Sequence, residues 1–147
     1  MPDPIQVAED RFNQGYSCSQ AVFSAFSPQF GVEEDVALKI ASPFGGGIAH
    51  QGEVCGAVLG ALMVLALKFG TNGFPGQSQI YTVSQEFIHR FESRHGFILC
   101  RKLTSFDISH PQGLQAARDA QVFKKICPEL VKTAAGIVQS MLASTSG

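Results

Sequence analysis

Apolar residues recur at helical spacing along most of the chain, and the breaks in that pattern carry Gly, Pro or a capping side chain. PIQVAEDRFN, from Pro4 to Asn13, sets Ile5, Ala8 and Phe12 on one face, with Asp3 as cap, Pro4 in the first position and Gly15 as the stop. In SCSQAVFSAF, Ser17 is the expected N-cap, Cys18 falls in the first turn, and Val22 and Phe26 follow at helical spacing. A third helix over Glu33 to Ala41 has its acids at the front, where the helix dipole favours them, and turns Val36, Ala37, Ile40 and Ala41 to one side. Ser42-Pro43 ends it.

Gly45 to Gly70 is the most distinctive stretch: a glycine-rich loop feeding an apolar helix. From Val54 to Leu67 no polar side chain interrupts the run, and its 14 residues are too few to span a bilayer but suit a helix buried in a globular core. Gly56 and Gly60, with Ala57 and Ala61, form a small-residue stripe along which another helix can approach. Each internal glycine costs roughly 1 kcal/mol relative to alanine, so the stripe implies a packing gain, within this chain or against a second copy in a homodimer. Leu59, Leu62, Met63, Ala66 and Phe69 cover another face.

TNGFPGQSQ reads as a loop, and Ile80, Val83, Phe87 and Phe91 then define a fifth helix ending at Gly96. FILCRKLTSFD, residues 97 to 107, fits either a short strand or helical turns beginning near Cys100. A short helix around Gln115 to Ala120 precedes the last one, where Pro128 at the first position puts Cys127 at the N-cap of a helix carrying Leu130, Val131, Ala134, Ile137, Val138 and Met141. With no hairpin signal and no internal repeat, the pattern predicts an all-α bundle of about six helices, residues 1–147 forming a single helical domain.

Composition adds limits. Hydrophobic residues make up 45% and charged ones 16%, enough for a large core and too apolar for a disordered chain. A net charge of −1 with no block of either sign leaves no electrostatic footprint for nucleic acid. The sequence shows neither a signal-peptide pattern nor a membrane span, so the expected location is cytoplasmic.

The candidate chemistry is sulfur. Cys18, Cys55, Cys100 and Cys127 lie 37, 45 and 27 positions apart with no CxxC pair, and three of them fall at expected helix starts. Unpaired N–H groups and the positive end of the dipole favour a thiolate there. Gly45, Gly46, Gly47 and Gly52 permit positive φ and let another group approach the backbone closely. Four buried, unreactive cysteines remain the plain alternative at this point, since free cysteine is commonly buried. His50 in the loop could tune a thiol, although a solvated histidine is commoner; Glu53 suits a first-turn acid, and Tyr16 an anchor for the turn before Cys18. His89 and His95 are expected to face solvent, His110 to sit in a turn, and the 12 phenylalanines to fill the core. No Ser-His-Asp order or HExxH motif supports a hydrolase.

These residues carry a resemblance. Cys55-Gly56-Ala57-Val58-Leu59-Gly60 matches the central motif of the C_GCAxxG_C_C family, small proteins assigned a redox role and named for four cysteines. Gly15-Tyr16-Ser17-Cys18-Ser19-Gln20-Ala21 resembles its first-cysteine segment and Phe44-Gly45-Gly46-Gly47 its glycine loop, while Cys100 and Cys127 fall where the last two cysteines belong. The resemblance implies a helical redox domain related to a module of split-Soret cytochromes, in which the cysteines hold an iron–sulfur cluster. Without CxxCH, covalent haem does not carry over.

The leading expectation is therefore that Cys18, Cys55, Cys100 and Cys127 share one site and ligate an iron–sulfur cluster for electron transfer, with Gly45, Gly46, Gly47 and Gly56 against the cofactor. The alternative is a dithiol–disulfide oxidoreductase in which Cys55 attacks and Cys18 resolves. A structural zinc site and a non-catalytic interaction module with buried thiols complete the set. Each redox reading requires a redox partner that the sequence does not name.

Overall fold

The computed structural model describes residues 2–73 and 77–144; residues 74–76 of the expected TNGFPGQSQ loop lie outside the described residues. The elements in order are α1 (Pro4–Asn13), α2 (Cys18–Phe26), α3 (Glu34–Ala41), α4 (Gly56–Phe69), α5 (Gln77–His95), α6 (Cys100–Thr104), α7 (Pro111–Asp119), α8 (Val122–Lys125) and α9 (Cys127–Ser144). Short 3₁₀ turns, Ser27–Phe30 and Ser42–Phe44, close α2 and α3. The fold is all-α with more helices than the six or so expected, the excess being the short pieces between α5 and α9. The only pairing of extended backbone among the described residues is an antiparallel bridge between Val54 and Leu99. Of the two readings of 97–107 the helical one holds, α6 beginning at Cys100, and the strand reading shrinks to that single bridge at Leu99.

Local chemistry sets the helix starts. Asp3 accepts a hydrogen bond from the Ile5 N–H at 3.0 Å, and Pro4 takes the first position of α1. Ser17 accepts from the Gln20 N–H at 3.3 Å while Gln20 Oε1 accepts from the Ser17 N–H at 3.1 Å, a reciprocal cap on α2.

α4 runs through the centre, between α2, α5 and α9. The glycine stripe is used inside this chain. A Cβ added to Gly60 would lie 2.8 Å from the Ser19 carbonyl oxygen, and one on Gly56 would lie 2.8 Å from the Phe44 carbonyl oxygen, so α2 and its flank rest directly on the α4 backbone. The stripe is therefore covered and is not a surface for a second copy.

Two apolar clusters result. The larger contains Phe26, Phe87, Phe91, Leu65, Val22, Val64 and Val138, all essentially inaccessible. Each such side chain contributes about 1.5–3 kcal/mol on burial. The smaller gathers Cys100, Ile108, Ala117 and Val122 under α6, α7 and α8, with Phe106, Leu114 and Phe123 packed around them. Some expected core positions lie outside. On α3 only Ala37 and Ala41 are buried, leaving Val36 45% and Ile40 50% exposed. Ala66 is exposed on α4, and Phe97 is exposed with the Lys102 ammonium 6.0 Å from its ring centre.

Candidate functional site

The chain between α3 and α4 makes an uncommon turn. Gly46, Gly47, Ile48, Ala49 and His50 all have positive φ, between 52° and 73°, a run of left-handed residues of which three carry side chains. Left-handed backbone costs an L residue roughly 1–2 kcal/mol, so the turn has to be held from outside. It is. Ala49 N–H donates to the Pro43 carbonyl at 2.7 Å, Gly52 N–H to Gly46 at 3.1 Å and Glu53 N–H to Gly47 at 2.9 Å. A Cβ on Gly47 would meet the Glu53 backbone nitrogen at 2.5 Å and the Cys100 Cβ at 2.8 Å, and one on Gly45 would meet the Ser17 Cβ at 2.6 Å. The loop glycines are thus sites of close approach between the loop, the start of α2 and the start of α6.

The bridge continues this assembly. Cys55 N–H donates to the Ile98 carbonyl at 2.7 Å and Cys100 N–H to the Glu53 carbonyl at 2.7 Å, which sets the starts of α4 and α6 side by side. Cys18 is the first residue of α2, Cys55 the N-cap of α4, Cys100 the first residue of α6 and Cys127 the first of α9. All four line one cavity of about 370 Å³ between the two apolar clusters. None is in a disulfide; Cys18 is half-buried and the other three are buried.

Within the cavity the Cys18 sulfur lies against the start of α4, where a Cβ on Gly56, next to Cys55, would stand 2.7 Å from it. The Cys55 thiol donates to the Cys18 sulfur and draws the Cys18 pKa down to about 7, against the opposing effect of burial and with help from the backbone N–H groups of Gly46, Cys18 and Ser19. Cys55 moves the other way, well above the usual thiol range, because it keeps the shared proton, is buried and faces the Cys18 charge; the Ala57 and Val58 N–H groups offset this only in part. The sequence expectation gives the lower pKa to Cys55, whereas the downward direction here falls on Cys18. A helix-start position was common to both residues, and the decisive difference is which sulfur receives the hydrogen bond. Burial and the Cys18 charge push Cys100 up to about 11, with Arg101 acting in the opposite sense. Burial and the charges of Cys18 and Cys100 push Cys127 up to about 12.

The chemistry of four soft thiols around one cavity suits a metal or cluster. Among the described residues, however, no three Cys, His, Asp or Glu side chains are grouped closely enough to hold a single metal ion as they stand.

Other expected residues take defined places. Gly46, Gly56, His50 and Tyr16 line the cavity, whereas Gly45 and Gly47 act behind its wall through the contacts above. Tyr16 N–H closes the turn onto the Arg11 carbonyl at 3.2 Å, and its ring is 40% exposed. Glu53 precedes α4 rather than joining its first turn, and binds Arg101 at 2.5 Å. His95 is half-buried rather than fully solvent-facing: its Nε2 lies 3.0 Å from Thr133 Oγ1 and its ring packs on Phe91, with desolvation lowering its pKa. His89 is exposed, and His110 lies 3.7 Å from Asp107.

The sequence reading missed the basic side of the cavity, Arg118 at the end of α7 and Lys124 on α8. A signal was available: neither has an acidic residue three or four positions away with which to pair on a helix.

No curated protein and no solved structure matches the chain. A family model does, over residues 16–141, a span that includes all four cysteines and the left-handed turn. By that match the chain belongs to the family described as "Putative redox-active protein (C_GCAxxG_C_C)".

Proposed function

We propose that this protein is a dithiol–disulfide redox protein whose working pair is Cys18 and Cys55. The observation that carries the reading is the closeness of these two residues on the wall of one cavity: a Cβ on Gly56, the residue after Cys55, would stand 2.7 Å from the Cys18 sulfur. Cys18, half-buried, attacks a sulfur of the oxidised partner and forms a mixed disulfide. Cys55, buried behind it, then attacks the Cys18 sulfur, releases the partner as a thiol and leaves a Cys18–Cys55 disulfide. Two electrons pass to the partner, and the site is reset by an external reductant. Gly56 is central to this arrangement, because a Cβ there would stand 2.7 Å from the Cys18 sulfur.

A second reading, an iron–sulfur protein, is favoured by a separate observation: all four cysteines face the same cavity. Four soft thiolates near helix starts are a chemically suitable donor set, and a cluster bound there would carry electrons singly.

One experiment separates the two. Protein purified anaerobically is assayed for iron and acid-labile sulfide, then reduced, treated with one equivalent of diamide and mapped by mass spectrometry. Dithiol chemistry predicts no stoichiometric iron, a loss of two hydrogens and a single Cys18–Cys55 crosslink that Cys18→Ser abolishes and Cys127→Ser preserves. Stoichiometric iron and sulfide, lost on replacing any one of the four cysteines, would establish the cluster instead.

A further inference from the structure

The cavity has a charge bias that the cysteines do not account for. No Asp or Glu side chain lines it, whereas Arg118 and Lys124 do. Arg11, Arg90 and Arg101 each hold a carboxylate elsewhere on the surface, but Arg118 and Lys124 make no ion pair among the described residues. Both cations come from the short helices α7 and α8, joined through Gln121 in a left-handed conformation, so two separate elements present positive charge to one opening. Beneath them the lining is apolar, with Phe12, Leu114, Phe123 and Leu130. A volume of about 370 Å³ lies within the roughly 300–1,000 Å³ of small-molecule sites.

We propose that the oxidised partner is a small organic disulfide carrying carboxylate or similar anionic groups, its charge held by Arg118 and Lys124 and its sulfur–sulfur bond presented to Cys18. The inference rests on the dithiol reading above. In the first step the Cys18–substrate sulfur bond forms as the substrate's own S–S bond breaks, and one half leaves as a thiolate that takes a proton from water. In the second, Cys55 gives up its proton and attacks Cys18, and the other half leaves as thiol. The substrate gains two electrons and two protons, one from water and one from Cys55; the protein loses two electrons and the Cys55 proton, Cys18 having attacked as the thiolate. The two cations act in binding and orientation: an anion is drawn to the opening, and its disulfide is directed inward along the apolar wall.

The test compares three disulfides of similar size, dithiodiglycolate (anionic), bis(2-hydroxyethyl) disulfide (neutral) and cystamine (cationic), each mixed anaerobically with the reduced full-length protein. Rates of Cys18–Cys55 disulfide formation are divided by the rate of each compound with free 2-mercaptoethanol, which removes intrinsic reactivity. The expected order is anionic over neutral by about tenfold, with the cation slowest. The double variant Arg118→Gln, Lys124→Gln changes two exposed side chains while keeping stems of similar polarity. In that variant the three normalised rates are expected to converge. Equal normalised rates for the anionic and neutral compounds in the native protein would overturn the proposal while leaving the dithiol pair intact. A preference that persists in the double variant would overturn the role of these two residues. If none of the three compounds yields the Cys18–Cys55 disulfide although diamide does, the small-disulfide substrate is wrong; if diamide also fails, the dithiol reading itself falls.

Discussion

The two walls of the cysteine cavity are built in different ways. On the α2–α4 side, the two helices meet backbone to backbone over Gly56 and Gly60, and the pair Cys18 and Cys55 sits against the larger core. On the α6–α8 side, helices of four to nine residues cover a small cluster, and Cys100 belongs to that cluster rather than to the main core. Helices packed backbone to backbone against the main core open only with the whole fold, whereas helices that cover a few apolar contacts open locally and at lower cost. Cys18 and Cys55 thus occupy the rigid wall, and the cations Arg118 and Lys124 the softer one. Under the proposed dithiol reading, the sulfurs are placed rigidly beside an adaptable wall, a division of labour that suits a site taking in a substrate.

The sharpest way to break this contrast is to fill the rigid seam. Gly60→Val would drive side-chain atoms into the Ser19 carbonyl, where even a Cβ stands at 2.8 Å. A loss of about 3 kcal/mol is expected, seen as a lowered urea midpoint. On the soft wall, Ile108→Ala removes a buried side chain from the small cluster and is expected to cost about 2 kcal/mol at most. Its main signature is faster amide exchange confined to α6, α7 and α8; equal acceleration in α4 would show that the two walls are one cooperative unit.

Ser17→Ala deletes the α2 cap at the foot of the rigid wall and is expected to cost about 1 kcal/mol by urea denaturation. A titration probes the pair without disturbing packing. Alkylation of Cys18 by iodoacetamide should rise through pH about 7 and level off above it, because only the thiolate attacks. In Cys55→Ala the hydrogen-bond donor is gone, and the inflection should move upward; no movement would show that Cys55 does not set the acidity of Cys18. The smallest effect belongs to the surface: Glu53→Gln weakens a largely exposed pair with Arg101 and is expected to change stability by under about 1 kcal/mol.

Much of the rigid wall was legible in the sequence because its determinants are local. Asp3, Ser17 and the position of Pro128 before an apolar run mark helix starts through contacts within one turn, and the four-residue spacing of Gly56 and Gly60 announces a close helix approach. The soft wall was not legible to the same degree. α6 and α8 are too short to show a period, and Leu99 must first pair with Val54 before α6 can begin. Loop glycines announced positive φ, but no residue type announces it at Ile48, Ala49 and His50, where hydrogen bonds back to Phe44, Pro43 and Gly45 hold it. The order of acidity in the cysteine pair was hidden for a similar reason, since both residues start helices and only their mutual hydrogen bond separates them.

The left-handed turn from Gly46 to His50 also works as a length gauge. A right-handed helix can absorb an added residue by extending, and an open loop can bulge, but L residues have no continuing left-handed structure to slide into. The hydrogen bonds from Gly52 to Gly46 and from Glu53 to Gly47 measure a fixed number of residues between them. One residue more or fewer would shift Glu53 out of reach of the Cys100 N–H, and with it the spacing between the starts of α4 and α6. The distance between Cys55 and Cys100 is thereby set by counting residues in a loop.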